Sequence, residues 1–215
     1  MSKYWLLFLS LTLAYFLTGY VGLLMPAVGT NVTLMWLPTG IAVAFLFRAG
    51  YRYWPAVSLG SLLVNLSVGS SLSTSLGIML GNTAGPLLTT VLLHRLKFHS
   101  KMDRPVDIGL LVLAAHVGML VSATNGVVSL VQFDSLSEGY FKAWFCWWAG
   151  DSMGVIVAVP ILLIAERIEL EVLQQRAVEF ACWIFLYVLV ALGVFVWNSH
   201  TLEPAWALAD RKSVV

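Results

Sequence analysis

The amino-acid sequence predicts an all-α fold, a polytopic transmembrane helical bundle with seven spans. The first observation behind this prediction is composition: 60% of the 215 residues are hydrophobic and only 11% are charged, against about 25% charged residues in a soluble domain. The second is pattern, because apolar runs recur between short polar turns, and a hydrocarbon core of ~30 Å needs about 20 apolar residues. No soluble segment is long enough to form an independent catalytic core.

The first three spans are predicted at 4–24, 33–48 and 54–68. The N-terminal run is too long for the apolar region of a signal peptide and has no clear cleavage site, so we expect it to be retained. The second span begins with the sequence WLPTG at 36–40, where a proline is tolerated because the first N–H groups of a helix have no intrahelical partner. Asn65 lies near the far end of the third span.

The next two spans are predicted at 75–94 and 106–128. Three glycines recur every four residues in the fourth span: Gly77, Gly81 and Gly85. This pattern favours the close approach of a neighbouring helix. The fifth span contains His116 and Asn125, which lie on opposite faces of a regular helix. Both could line one cavity only if the helix breaks at Asn125-Gly126.

The last two spans are predicted at 141–165 and 180–197, joined by an amphipathic link at 166–179. The polar tail at 200–215 has no domain pattern, so the integral-membrane sensory domain is predicted over 1–199. The sixth span is the most informative stretch, because it is long enough to cross a bilayer and still carries one acidic residue.

The acid of the sixth span, Asp151, lies about ten residues in from the polar end of that span. At ~100° per residue, Trp144, Trp147 and Trp148 fall on the same face. An intramembrane carboxyl is costly and generally faces the bundle interior or a wet cavity, and indole faces attract cations. One interpretation is a site for a small cationic or proton-linked ligand. The other is a structural, helix-bridging acid below an interfacial tryptophan belt.

Polar and aromatic groups are expected to converge in the outer half of the bundle. The candidate ligand-binding residues are Asp151, Trp147, Trp148, Trp144, Asn82, Asn125, Trp36 and Asn65. Each asparagine has an alternative interpretation as an interhelical hydrogen bond, and His116 as a hydrogen-bonded core residue. We find no catalytic motif, metal-ligand spacing or cofactor motif, so we expect no enzyme activity, no metal and no cofactor. Nothing in the sequence favours nucleic-acid binding.

The basic residues predict the orientation in the membrane. If seven spans alternate, nine basic residues share one side: Lys3, Arg48, Arg52, Arg95, Lys97, Lys101, Arg104, Arg167 and Arg176. The other side receives three: Lys142, Arg211 and Lys212. The positive-inside rule places the larger group in the cytoplasm, so we expect the N-terminus inside and the C-terminus in the periplasm. The cytoplasmic basic side chains are expected to contact anionic lipid headgroups.

Four sequence blocks resemble the first type of bacterial membrane-associated sensor domain, the MASE type 1 family. The blocks are WLPTGIA at 36–42 with YWPA at 53–56, GNT at 81–83, ATNG at 123–126, and 144–160 around WWAGDSMG. The resemblance implies an integral inner-membrane sensor, generally N-terminal to a cytoplasmic histidine kinase, diguanylate cyclase or phosphodiesterase module. It also implies eight spans, so an eighth span and an output domain are expected to be missing from this chain.

Three functional hypotheses follow. The first is a sensory domain that couples an extracytoplasmic or intramembrane cue to a cytoplasmic histidine kinase or cyclic-di-GMP enzyme. Its expected partners are membrane lipid, an unknown small ligand, a signalling module or partner protein and, as an open alternative, a second copy in a homodimer. The second is a small transporter or permease component, for which helices broken at Pro38 and Asn125-Gly126 would suit a midplane site. The third is a membrane anchor or dimerisation scaffold.

Overall fold

The computed structural model describes residues 2–24, 33, 35–133 and 139–165, and within these ranges it contains helices and no strand. The six α-helices are α1 (Lys3–Leu23), α2 (Leu37–Ala49), α3 (Trp54–Ser67), α4 (Leu72–Arg95), α5 (Pro105–Phe133) and α6 (Tyr140–Ala165). A 3-10 turn at Tyr51–Tyr53 joins α2 to α3. The all-α prediction is confirmed. The predicted seventh span, amphipathic link and polar tail lie outside the described residues.

Four of these helices, α1, α4, α5 and α6, are long and apolar enough to cross a membrane. Helix α2 has 13 residues and α3 has 14, which at 1.5 Å per residue gives each a length of ~20 Å, short of a ~30 Å hydrocarbon core. The second predicted span is therefore corrected: its helix begins only at Leu37, and the N–H of Trp36 just before it bonds to α6 instead. The count of seven spans is not confirmed.

The helices of the bundle alternate in direction and define two ends. At one end, which we call the basic end, the start of α1 meets the turn between α2 and α3. There the rings of Tyr4 and Tyr53 stack with centroids 5.1 Å apart, and the Arg52 guanidinium lies 5.9 and 5.0 Å from the two ring centroids. The opposite end holds the C-terminal ends of α1, α3 and α5 and the first turn of α4.

The packing of α4 against α5 depends on glycines. A Cβ added at Gly77 would lie 2.3 Å from Ser129 Oγ, and one added at Gly118 would lie 2.0 Å from Thr89 Oγ1. The predicted close approach at the glycine repeat of α4 is therefore confirmed. By contrast, the break at Asn125-Gly126 that a cavity shared by His116 and Asn125 would require does not occur, because α5 continues to Phe133. Gly126 serves packing there, since a Cβ would meet the Trp147 ring at 2.6 Å.

Helices α2 and α6 approach each other backbone to backbone. A Cβ added at Gly154 would lie 2.0 Å from the Trp36 carbonyl oxygen, and one at Gly40 would lie 2.1 Å from the Gly154 carbonyl oxygen. The Trp36 N–H donates to the Gly150 carbonyl at 2.9 Å. Trp36 precedes α2, so its N–H has no partner within a helix, and the Gly150 carbonyl supplies one. Buried backbone that is not helical requires such a partner at membrane depth. The start of α2 is thereby fixed against the middle of α6.

Candidate functional site

The Asp151 carboxyl is completely buried at the junction of three helices. Its Oδ1 accepts a hydrogen bond from Thr39 Oγ1 of α2 at 2.8 Å, and its Oδ2 lies 2.5 Å from Ser122 Oγ of α5. The Trp147 indole is a further neighbour. Within the described ranges no cationic side chain pairs with this carboxyl. The arrangement therefore surrounds an acid with hydroxyl and indole groups only.

A chain of polar side chains runs from Asp151 across the bundle. Ser122 Oγ lies 3.1 Å from Asn82 Oδ1 of α4, and the Asn82 Nδ2 donates to Ser61 Oγ of α3 at 3.1 Å. Asn65 lies one turn further along α3, and its Nδ2 donates to the Ser61 carbonyl oxygen at 2.9 Å. All of these side chains are buried. Four helices besides α2 therefore share one hydrogen-bonded chain, which we call the Asp151 network.

Helix α1 reaches the same region through Tyr15, whose side chain is fully buried. The Tyr15 hydroxyl accepts from the Trp36 Nε1 at 3.4 Å and lies beside the side chains of Ser61 and Asn82. The ring is too large and too deeply placed to reach solvent, so its hydroxyl depends on these partners. Every one of the six helices thus contributes a polar group to the region around Asp151.

A small cavity adjoins the carboxyl. It is lined by Thr33, Trp36, Asn65, Ile78, Asn82, Trp147 and Asp151, and the space open to the centre of a water molecule is about 10 Å³. This volume is about what one water molecule needs. The lining brings together five of the eight residues predicted from the sequence: Asp151, Trp147, Asn82, Trp36 and Asn65. As it stands, the cavity admits nothing much larger than water.

The other three predicted residues lie elsewhere. The Trp148 Nε1 donates to the His116 carbonyl at 2.9 Å, and the Trp144 ring stacks on Trp148 with centroids 6.0 Å apart. Asn125 donates through its Nδ2 to the Gly77 carbonyl, which joins α5 to α4. The single face predicted from the spacing therefore divides into two, each made of a pair of residues four positions apart. Trp147 and Asp151 face the cavity, whereas Trp144 and Trp148 lie along α5.

The sequence reasoning missed four residues that the structure joins to Asp151: Tyr15, Thr39, Ser61 and Ser122. Weak signals existed for two of them. Thr39 lies inside the WLPTG block, and Ser61 precedes Asn65 by four residues, which places both on one helix face. Ser122 and Tyr15 carry no such signal, because hydroxyl side chains in apolar spans commonly bond to their own helix.

A second buried acid lies at the basic end. His99, Asp103 and Asp107 have ligand atoms within 4.8 Å of one another, but the Asp107 carboxyl already accepts from Arg104 Nε at 2.9 Å, from Arg104 Nη2 at 2.5 Å and from the His99 N–H at 3.0 Å. The hydrogen bond to Asp107 raises the pKa of the Arg104 guanidinium, so this cation stays charged. A guanidinium on the carboxyl disfavours a metal ion, and the cluster organises the turn before α5.

Comparison with known proteins gives one clear result. The family model MASE1, which describes a membrane-associated sensor domain, matches residues 5–209, nearly the whole chain. Neither the curated proteins nor the solved structures contain a significant match. The family is one of sensory rather than catalytic membrane domains, and the apolar helices agree with a multi-pass membrane protein. The chain belongs to the MASE1 family of membrane-associated sensor domains.

Proposed function

We propose that this sensory domain receives its cue at the Asp151 network and passes it along α2 to the basic end. The observation that supports this most is the environment of Asp151, a fully buried carboxyl with hydroxyl partners and no cation among the described residues. Unpaired acids inside a membrane domain are costly and are retained mainly where they serve a function. A change in charge or ligand at this carboxyl alters every helix that bonds to it.

Helix α2 is the natural route from that site. Its first turn carries Thr39, which bonds to Asp151, and its last turn carries Arg48. The positive end of its macrodipole faces the carboxyl, so the charge state of Asp151 acts directly on α2. Val43 packs into the core shared with α5 and α6, whereas Leu46 packs into the core shared with α1 and α3. A shift of α2 therefore repacks both cores.

The basic end is the end we assign to the cytoplasm, by the positive-inside rule. The domain would then lie in the bacterial inner membrane with the cavity on its outer half. Its output would be a cytoplasmic histidine kinase or cyclic-di-GMP enzyme, which it would regulate through the relative population of two helix arrangements. Membrane lipid surrounds it, and a homodimer is compatible with this mode of action.

The test is a fusion in which a diguanylate cyclase reporter is attached to the N-terminus of the full 215-residue chain, the terminus that we expect in the cytoplasm. Asp151→Asn should change the basal output of the fusion by at least about tenfold, which corresponds to ~1.4 kcal/mol between two states. Asp103→Asn, an exposed acid at the basic end, is the matched control and should leave the output unchanged. Membrane insertion is checked for each variant. Identical output from the wild type and Asp151→Asn would refute the proposal.

A small transporter is the second candidate, and one observation favours it. Helix α2 begins at the level of a buried acid, after residues that are not helical, and discontinuous helices of this kind form midplane substrate sites in transporters. Uptake of a panel of labelled small cations and neutral metabolites into proteoliposomes distinguishes the two candidates. Accumulation that Asp151→Asn abolishes would favour transport, and no accumulation of any compound would favour the sensory proposal.

A further inference from the structure

The hydrogen atoms around Ser122 are too few for its neighbours when Asp151 is ionised. The Ser122 hydroxyl has one hydrogen to donate, yet it lies 2.5 Å from Asp151 Oδ2 and 3.1 Å from Asn82 Oδ1. If Asp151 is ionised, the Asp151 and Asn82 oxygens compete for that one hydrogen. Two acceptor oxygens then face each other without a proton between them, among buried side chains, which is costly.

One added proton removes the conflict. With a proton on Asp151, the carboxyl O–H donates to Ser122 Oγ, Ser122 donates to Asn82 Oδ1, and the Asn82 Nδ2 donates to Ser61 Oγ. Each of these three donors then has an acceptor. With Asp151 ionised, satisfaction requires the Asn82 amide to turn over, so that Nδ2 donates to Ser122 and Oδ1 accepts from Ser61. The two protonation states therefore demand opposite orientations of Asn82.

We propose that the ligand of this site is a single proton. Its gain or loss at Asp151 reverses the direction of hydrogen bonding from Ser122 through Asn82 to Ser61, and so links α6 to α3. The inference rests on the proposed sensory function and names the cue for that same site. The size of the cavity supports it, because about 10 Å³ is the space that one water molecule needs.

The surroundings of Asp151 contain few other groups that could take the proton. From α1 the neighbour is the Tyr15 hydroxyl, and from α2 to α5 the neighbouring side chains are hydroxyls and amides. His116 of α5 contacts Trp148, with ring centroids 5.0 Å apart. No charged side chain among the described residues faces the carboxyl. The proton therefore has one site in this region, reached through the water-sized cavity.

Infrared spectroscopy of the full chain in phosphatidylethanolamine–phosphatidylglycerol vesicles tests the inference. The wild type should show the carbonyl band of a buried protonated carboxyl, and this band should vanish in one step between about pH 4 and pH 9. Side-chain-labelled asparagine should show an amide band that changes over the same pH range. Asp151→Asn should lack the carboxyl band, whereas Asp103→Asn should keep it.

Two further variants separate a structural from a proton-linked role. Asp151→Glu should retain a titrating carboxyl band, and it replaces Asp151→Asn as the test if the latter does not insert. Ser122→Ala should keep the titration of the carboxyl but lose the accompanying asparagine change. A band absent or unchanged over the whole pH range would overturn the inference. Titration without any effect of pH on the cyclase fusion would leave the proton site standing but exclude the proton as the cue, whereas the sensory proposal itself is refuted by identical output from the wild type and Asp151→Asn.

Discussion

The protein contains two buried carboxyls with opposite surroundings. Asp107 and Asp151 are both fully inaccessible to solvent, but Asp107 accepts two hydrogen bonds from Arg104 and one from a backbone N–H, whereas Asp151 meets only hydroxyl and indole groups. A buried ionised group needs a counter-charge and satisfied lone pairs. The comparison teaches that Asp107 has the counter-charge that an ionised buried carboxylate needs, whereas Asp151 has hydroxyl partners and no counter-charge among the described residues, which is why we propose that its protonation changes.

The largest effect on stability is expected when Asp107 is left without a cation, as Asp151 is among the described residues. Arg104→Ala removes the cation and leaves Asp107 buried without one, so the thermal unfolding temperature in detergent micelles should fall by roughly 5–10 °C. The loss should be smaller at acidic pH, because protonation of Asp107 removes the uncompensated charge. Arg95→Ala, an exposed basic residue at the end of α4, is the control. Equal stability of Arg104→Ala and the wild type would mean that Asp107 needs no counter-charge.

The next effect concerns the hydroxyl that joins Asp151 to Asn82. Ser122→Ala leaves two buried polar groups with one partner fewer, which should lower the free energy of unfolding by about 1–3 kcal/mol. Ser129→Ala is matched to it, since Ser129 is also buried on α5 but donates only to a carbonyl of its own helix. Chemical denaturation of both variants gives the measurement. A loss as large for Ser129→Ala would show that the network adds nothing to ordinary packing.

A smaller effect on stability is expected at the other oxygen of the Asp151 carboxyl, Oδ1. Thr39→Val preserves the shape of the side chain but removes its hydrogen bond to Asp151 Oδ1, and the expected cost is about 1 kcal/mol in the same denaturation assay. Thr39→Ser keeps the hydroxyl and should recover most of the loss. If Val and Ser variants lose stability equally, the hydroxyl contributes nothing and the missing methyl group or the local packing accounts for the change.

The smallest effect on stability is expected at the acid itself. Asp151→Asn offers an oxygen to Thr39 and an amide group to Ser122, so the free energy of unfolding should change by no more than ~1 kcal/mol. Any pH dependence of the output of the cyclase fusion should disappear. Thermal unfolding across pH provides the check. A severe loss of stability, comparable with that of Arg104→Ala, would indicate that Asp151 is an ionised structural acid like Asp107.

The two carboxyls also show how far the sequence could predict the structure. The partners of Asp107 lie three and eight residues away, within reach of local pattern. Asp151 bonds to residues 29 and 112 positions away, and no periodicity within one helix indicates which hydroxyls on other helices it meets. The glycine repeat of α4 was predictable for the same reason of locality, since four-residue spacing defines one helix face.

The boundaries of α2 show a second limit. Hydropathy treats 33–48 as one apolar run, yet the helix begins at Leu37 because the Trp36 N–H bonds to the Gly150 carbonyl. Such pairing depends on the three-dimensional arrangement and leaves no trace in composition. Likewise, the dipeptide Asn125-Gly126 suggested a break, but α5 runs through it, since the glycine makes room for the Trp147 ring.

The contact of Gly40 and Gly154 with neighbouring backbone has a mechanical consequence. Where helices meet through side chains, rotamer changes absorb small displacements; here main chain rests on main chain, and nothing at the crossing can yield. A tilt of α6 therefore rotates α2 about the contact of Gly40 with Gly154. A sub-ångström adjustment beside Asp151 would then become a larger swing at the far tip of α2.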